Sequence, residues 1–163
     1  MMTAIIAHRG ASALATHENT LEAFQNHPEI DEIAVVCIEG WESVLWAYAN
    51  QFNITKLKYV VPGGKNGQDS IRNGVFEIEK HHAPDDIVLI HDAIRPMVSA
   101  EIISDCIRVT QLHGNAITVI PCAEAMMQTE DGEKSTGSYP RDNLKRTQTP
   151  QGFPIGKICD LHR

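Results

Sequence analysis

Ile87-Val-Leu-Ile-His-Asp-Ala-Ile-Arg-Pro96, with the segment that runs on from Ser99 to Ile120, decides the fold of this chain. The run from Ile87 to His91 is apolar and rich in β-branched residues, as a strand covered on both faces requires. A helix is then predicted from Ala100 to Leu112. Ser99 is a suitable N-cap, Ile102, Ile103, Cys106, Ile107 and Val109 make one broad apolar face, and Gly114 is placed to end the helix. Ala116 to Ile120 is a second strand-like run.

The same alternation extends outward. Strands are expected at Thr3 to Ala7, Glu32 to Ile38 and Leu57 to Val61, and helices at Asn19 to His27, Trp41 to Phe52 and Ser70 to Lys80. Short apolar strands alternating with amphipathic helices are the sequence form of a doubly wound α/β fold, a mostly parallel sheet with helices on both faces. After Pro121 the pattern changes. Met126 to Arg146 is polar and contains the turn pair Asp131-Gly132, which predicts a β-hairpin or arm. Thr147 to Pro154 is expected to be extended because of its two prolines, and Ile155 to His162 to be helical. The whole reads as one domain over residues 1–163, with the arm within it and neither internal repeat nor low-complexity tract.

With 163 residues, 42% of them hydrophobic, the chain can bury a substantial core. A net charge of −7 argues against a nucleic-acid surface, which needs Lys and Arg gathered in a patch. No apolar run reaches the roughly 20 residues that span a bilayer, and Met1 to Ala7 is too short and too poor in basic residues for a signal peptide, so a cytoplasmic location is expected. Cys37, Cys106, Cys122 and Cys159 are scattered without a Cys-x-x-Cys pair and are read as free thiols.

Ligands of open parallel sheets lie beyond the carboxyl ends of the strands, and Pro62 to Ser70, Asp92 to Pro96 and Pro121 to Glu124 all fall there. Gly63 and Gly64 either form an ordinary turn into a helix or let bare backbone approach a ligand, and Ser70, Arg72 and Asn73 in the following turn favour the second reading. Asp92 is a candidate metal ligand and Arg95 a candidate phosphate fork, against the plainer alternative of a capped loop and a surface arginine. His91 reads as a hydrogen-bonded core histidine. Arg141, Lys145 and Arg146 concentrate positive charge in an acidic protein, as a second anionic substrate would need and a solvated hairpin face would also explain.

Leu21 to Cys37, Gly63 to Gly74, Asp86 to Pro96 and Arg146 to Phe153 resemble, in this order, the 2-C-methyl-D-erythritol 4-phosphate cytidylyltransferases and their relatives that act on ribitol 5-phosphate. The resemblance implies transfer of CMP from CTP to a polyol phosphate with release of pyrophosphate. It implies that Gly63, Gly64, Ser70, Asp92 and Ala93 bind the nucleotide, Gly64 and Ser70 at the cytosine. Asp92 would hold Mg²⁺, Arg95 and Arg141 would grip the acceptor phosphate, and Asp92, Arg95 and Arg141 together would be the catalytic set. A homodimer joined through the arm is implied as well.

Three departures accompany the resemblance. Between Ala7 and Thr20 the chain is shorter than the family pattern by roughly 20 residues, and the expected glycine-rich triphosphate loop has no counterpart there. Glu124 and Ala125 stand where the family has Asp-Thr, and Arg163 precedes the family's final strand and helix, so a truncated domain is expected. His8-Arg-Gly10 with Glu18-Asn-Thr20 resembles instead the opening of glycerophosphodiester phosphodiesterases. That alternative expects a (β/α)₈ barrel, typically about 250 residues long. A third reading is a non-catalytic fragment that binds nucleotide or dimerises.

Overall fold

In a computed structural model the backbone is described for residues 2–7 and 14–163, and side chains from Thr20 onward. The strands are β1 (Met2–Ala7), β2 (Glu32–Cys37), β3 (Leu57–Pro62), β4 (Ile87–Asp92), β5 (Ala116–Pro121), β6 (Met126–Thr129), β7 (Ser135–Tyr139) and β8 (Lys145–Pro154). The helices are α1 (Leu14–Gln25), α2 (Glu42–Gln51), α3 (Gly67–Glu79), α4 (Ala100–His113) and α5 (Ile155–His162). The strands β1 to β5 and β8 form one sheet in the order β3-β2-β1-β4-β8-β5, and β6 pairs with β7 as a separate hairpin. The expected α/β class, a mostly parallel sheet with a protruding arm, is what the chain adopts. His8, Arg9 and Gly10 lie outside the described residues, as do the side chains of Glu18 and Asn19.

Strict alternation along the strands separates two cores. Ile33, Val35 and Cys37 of β2, with Ile87 and Leu89 of β4, meet α1, α2 and α4 through Leu21, Phe24, Tyr48, Ala49, Ile103, Cys106 and Ile107. The intervening Ala34, Val36, Val88 and Ile90 meet α3 and α5 through Val75, Ile78, Ile155, Ile158 and Cys159. Both faces of β2 and β4 are therefore dry, which is why these two strands read as continuous apolar runs.

The helix ends follow from their caps. Ser99 accepts from the Ile102 N–H and Gly114 closes α4 at φ 79°, as its sequence predicts. The α3 helix begins three residues before the expected Ser70, because Asn66 caps it by accepting from the Asp69 N–H. In α1 the described helix starts at Leu14, ahead of the expected Asn19, and ends at Gln25.

The largest difference from the sequence reading is β8. The segment from Thr147 to Pro154, expected only to be extended, is a sheet strand inserted between β4 and β5 and antiparallel to both. The two strands that flank α4 are therefore not neighbours. Pro150 cannot donate to a ladder, and the β5–β8 register shifts between Ile117 and Val119 beside it. Its carbonyl is still used, accepting from Thr118 Oγ1 at 2.7 Å. Gly152 lets β8 lie close under α4, since a Cβ there would fall 2.1 Å from Thr110 Oγ1.

Candidate active site

Register brings the carboxyl ends of four strands level. Ala7 of β1 pairs with Val36 on one side and Asp92 on the other, and Cys37 pairs with Pro62. The loop after β3 and the loop after β4 therefore open on the same edge of the sheet, three strand spacings or about 14 Å apart. The end of β1 lies between them.

The first wall is the turn from β3 into α3. The Gly63 N–H donates to the Cys37 carbonyl at 2.7 Å, tying the turn to β2. The Gly64 N–H donates to Ser70 Oγ at 3.0 Å, and that hydroxyl donates to the Asn66 carbonyl at 3.0 Å. Ser70 is buried and pins the loop from beneath. A Cβ on Gly64 would stand 2.2 Å from the Asp69 Cβ, so only glycine fits. Asn73 Nδ2 reaches back to the Pro62 carbonyl at 3.1 Å. Arg72, expected to face a ligand, pairs with Asp69 at 3.3 Å.

The second wall is the turn after β4. His91 is completely buried against the edge of Phe24, with ring centroids 5.1 Å apart, and burial pulls its pKa below the ordinary histidine range. The neutral ring donates from Nε2 to the Arg95 carbonyl at 3.0 Å and shapes the turn. Thr20 of α1 donates to the Ala93 carbonyl at 3.1 Å, holding buried Ala93 from the other side. Asp92 Oδ2 accepts from Arg95 Nε at 3.3 Å, and its side chain remains 46% exposed, so the carboxylate is accessible to solvent.

Two residues whose roles the sequence reading missed complete this wall. The Asp92 N–H donates to Thr149 Oγ1 at 3.1 Å, and Arg95 Nη1 donates to Gln148 Oε1. Both come from β8. The segment Arg146 to Phe153 that contains them carries part of the family resemblance, but nothing in it indicates which strand it joins.

The structure thus groups Gly63, Gly64 and Ser70 on one wall and Asp92, Ala93 and Arg95 on the other. Arg141 is elsewhere, in a 3-10 turn at the foot of the arm, where it donates to the Ala123 carbonyl at 3.2 Å. Arg146 is paired with Glu124 at 2.7 Å. Among the described residues no group of three His, Cys, Asp or Glu side chains could by itself hold a metal ion. A single half-exposed carboxylate at a strand end, that of Asp92, nevertheless fits Mg²⁺, which typically takes one or two carboxylates and completes its shell with substrate phosphate and water.

A glycine turn at a helix N-terminus and, on the same edge of the sheet, a carboxylate and an arginine suit a nucleoside triphosphate and a second phosphate. Comparison with known proteins identifies the family. The sequence model of the 2-C-methyl-D-erythritol 4-phosphate cytidylyltransferases matches residues 10–163. The chain is 44% identical over 144 residues to the ribitol-5-phosphate cytidylyltransferase of Lacticaseibacillus paracasei, covering 88% of this chain and 61% of the relative. It is 39% identical over 144 residues to the 2-C-methyl-D-erythritol 4-phosphate cytidylyltransferase of Clostridium botulinum strain Okra, with the same coverage of 88% and 61%. The chain therefore spans about three-fifths of the length of these curated relatives. Among solved structures, the Thermus thermophilus 2-C-methyl-D-erythritol 4-phosphate cytidylyltransferase superimposes with a TM-score of 0.74 at 27% identity, covering 98% of this chain and 73% of that one. The 4-diphosphocytidyl-2C-methyl-D-erythritol synthase of Anaerococcus prevotii shares the fold, with a TM-score of 0.84 at 24% identity, over 99% of this chain and 73% of that one.

Proposed function

Because this chain belongs to the 2-C-methyl-D-erythritol 4-phosphate cytidylyltransferase family, we propose that it transfers CMP from CTP to a polyol phosphate and releases pyrophosphate. The observation that carries the reading is the pairing of Asp92 and Arg95 on one strand-end turn, level with the Gly63-Gly64 turn across the end of β1. Gly63, Gly64, Ser70 and Ala93 frame the pyrimidine nucleotide. An oxygen of the acceptor phosphate attacks the α-phosphorus of CTP, the bond to the β-phosphate breaks, and pyrophosphate leaves. The attacking oxygen is already anionic, so alignment and neutralisation of charge matter more than a general base.

Asp92 is the residue that would hold Mg²⁺. When bound, the ion supplies charge neutralisation at the phosphates. Arg95 orients the acceptor phosphate through its fork, and Arg141 serves the same phosphate from the foot of the arm after leaving the Ala123 carbonyl. The exposed Met126, Met127 and Tyr139 on the hairpin support a homodimer contact there. No helix among the described residues is long and apolar enough to cross a membrane.

The hydrolase alternative loses its footing. The sheet is open, with β3 and β5 at its edges, where a (β/α)₈ barrel would be closed. The test is incubation with CTP, Mg²⁺ and either ribitol 5-phosphate or 2-C-methyl-D-erythritol 4-phosphate, following pyrophosphate. Release that requires an acceptor supports the transfer. Calorimetric binding of CTP without turnover would leave the non-catalytic reading, and glycerol phosphate released from glycerophosphocholine would replace both.

A further inference from the structure

We infer that Gln148 is a positioning residue that holds the Arg95 guanidinium open for the acceptor phosphate and keeps it from closing onto Asp92. The inference rests on the cytidylyl transfer proposed above and assigns a role to a side chain on a different strand.

Asp92 and Arg95 are three residues apart in one turn and of opposite charge, so with nothing else nearby a bidentate ion pair is their natural arrangement. Such a pair would occupy both carboxylate oxygens and one edge of the fork. The structure shows a different geometry. Only Arg95 Nε reaches Asp92, at 3.3 Å to Oδ2, while Nη1 is turned to Gln148 Oε1. An arginine has five N–H donors, and two are used here. Those left lie on the outer nitrogens, the end of the fork that can grip a phosphate with two parallel bonds.

Gln148 is itself held. Its Nε2 donates to the Thr147 carbonyl at 2.9 Å, which fixes its oxygen toward Arg95, and its own carbonyl accepts from Gln151 Nε2 at 3.2 Å. The next residue, Thr149, receives the Asp92 N–H. Adjacent residues of β8 thus fasten the two functional members of the turn separately. The register of β8 on β4, Gln151 opposite Ile90 and Gly152 opposite Leu89, sets the distance.

The neutrality of Gln148 matters as much as its reach. A carboxylate of the same length would still accept from Nη1, but its charge would cancel the guanidinium that the phosphate needs and would compete with the phosphate for the fork. Gln148→Leu and Gln148→Glu therefore fail for different reasons and both weaken the acceptor.

The experiment measures KM for the polyol phosphate and for CTP separately, on the full 163-residue chain and the two variants, with calorimetric titration of ribitol 5-phosphate and 2-C-methyl-D-erythritol 4-phosphate alongside. Both variants are expected to raise the acceptor KM about tenfold or more while leaving the CTP KM within about twofold. The Glu variant, although isosteric, is not expected to rescue. Full acceptor affinity in Gln148→Leu, or rescue by Gln148→Glu, overturns the inference while the transferase reading stands. Equal loss toward both substrates with a lowered thermal midpoint marks a merely structural role and overturns it too. A wild-type chain that neither binds nor converts a polyol phosphate overturns the transferase reading, and this inference falls with it.

Discussion

The Gly64 N–H donates to Ser70 Oγ at 3.0 Å, and the same hydroxyl donates to the Asn66 carbonyl, so one buried serine closes the turn from β3 into α3 from both ends. Removing that oxygen in Ser70→Ala leaves the Gly64 N–H to bond water, since Gly64 lies in an exposed loop. A stability loss of about 0.5–1.5 kcal/mol is expected in urea unfolding. CTP affinity is expected to fall by calorimetry while affinity for the polyol phosphate is kept, because the second wall does not touch Ser70. A loss confined to the polyol phosphate would contradict the assignment of this turn to the nucleotide.

Two nearby glycines separate steric need from chance. An added Cβ at Gly64 meets Asp69 Cβ at 2.2 Å and the Asp69 carbonyl carbon at 2.6 Å, whereas at Gly67 nothing lies within 4 Å. Gly64→Ala is expected to destabilise by about 1–3 kcal/mol, because backbone must move. Gly67→Ala, in the first turn of α3 with ordinary helical φ, is expected to be neutral or to stabilise by roughly 0.4–1 kcal/mol through the unfolded chain. Urea midpoints of the two variants make the comparison, and equal effects would refute it.

Gly152 makes the contact that seats β8 beneath α4. Its substitution by Ala would set a Cβ 2.1 Å from Thr110 Oγ1 and 3.2 Å from Leu89 Cδ2, and Thr110 is not free to turn aside, since its hydroxyl donates to the Cys106 carbonyl at 2.7 Å. Gly152→Ala is expected to cost about 1–3 kcal/mol, at roughly 2–4 °C of thermal midpoint per kcal/mol. Combining it with Thr110→Ala should recover part of the loss, because the two sites share one space. Strict additivity in that double variant would show that the overlap is relieved elsewhere.

Burial pushes the thiols of Cys106 and Cys159 up to about 11 from an ordinary value of 9.0. Both stay protonated in the folded chain while they ionise in the unfolded one, so below pH 9 their contribution is fully present. Between about pH 9 and about pH 11 the unfolded state alone releases protons, and stability falls as pH rises. Urea midpoints across that window are expected to drop, less steeply in a Cys106→Val variant. Native alkylation at pH 8 should modify half-buried Cys122 first, with Cys106 and Cys159 reacting only on unfolding. Rapid native modification of Cys159 would contradict its placement in the core.

Much of this architecture is legible in short stretches. Ser99 and Gly114 announce α4, and the alternation of Val35 with Val36 and of Leu89 with Ile90 announces a sheet covered on both faces. The cap of α3, Asn66, is less legible, because Gly67 behind it weakens the helical pattern. Strand β8 was read only as extended, since Pro150 and Pro154 argue against a ladder. The structure accommodates Pro150 by a register shift against β5 and a carbonyl that Thr118 satisfies. Asp92 and Arg95 stood out at a strand end. Gln148 did not, because its importance comes from a partner 53 positions away.

From the chain alone came the kind of every helix and of the five parallel strands, and the edge of the sheet where ligands belong, because side-chain periodicity and capping act within a few residues of one another. Tertiary pairing decided that β8 enters between β4 and β5, that its Gln148 and Thr149 reach the Asp92 turn, and that Arg141 rests on the Ala123 carbonyl. Strand order depends on backbone hydrogen bonds and packed faces between segments far apart in sequence, and no local pattern of residues encodes which of those segments will meet.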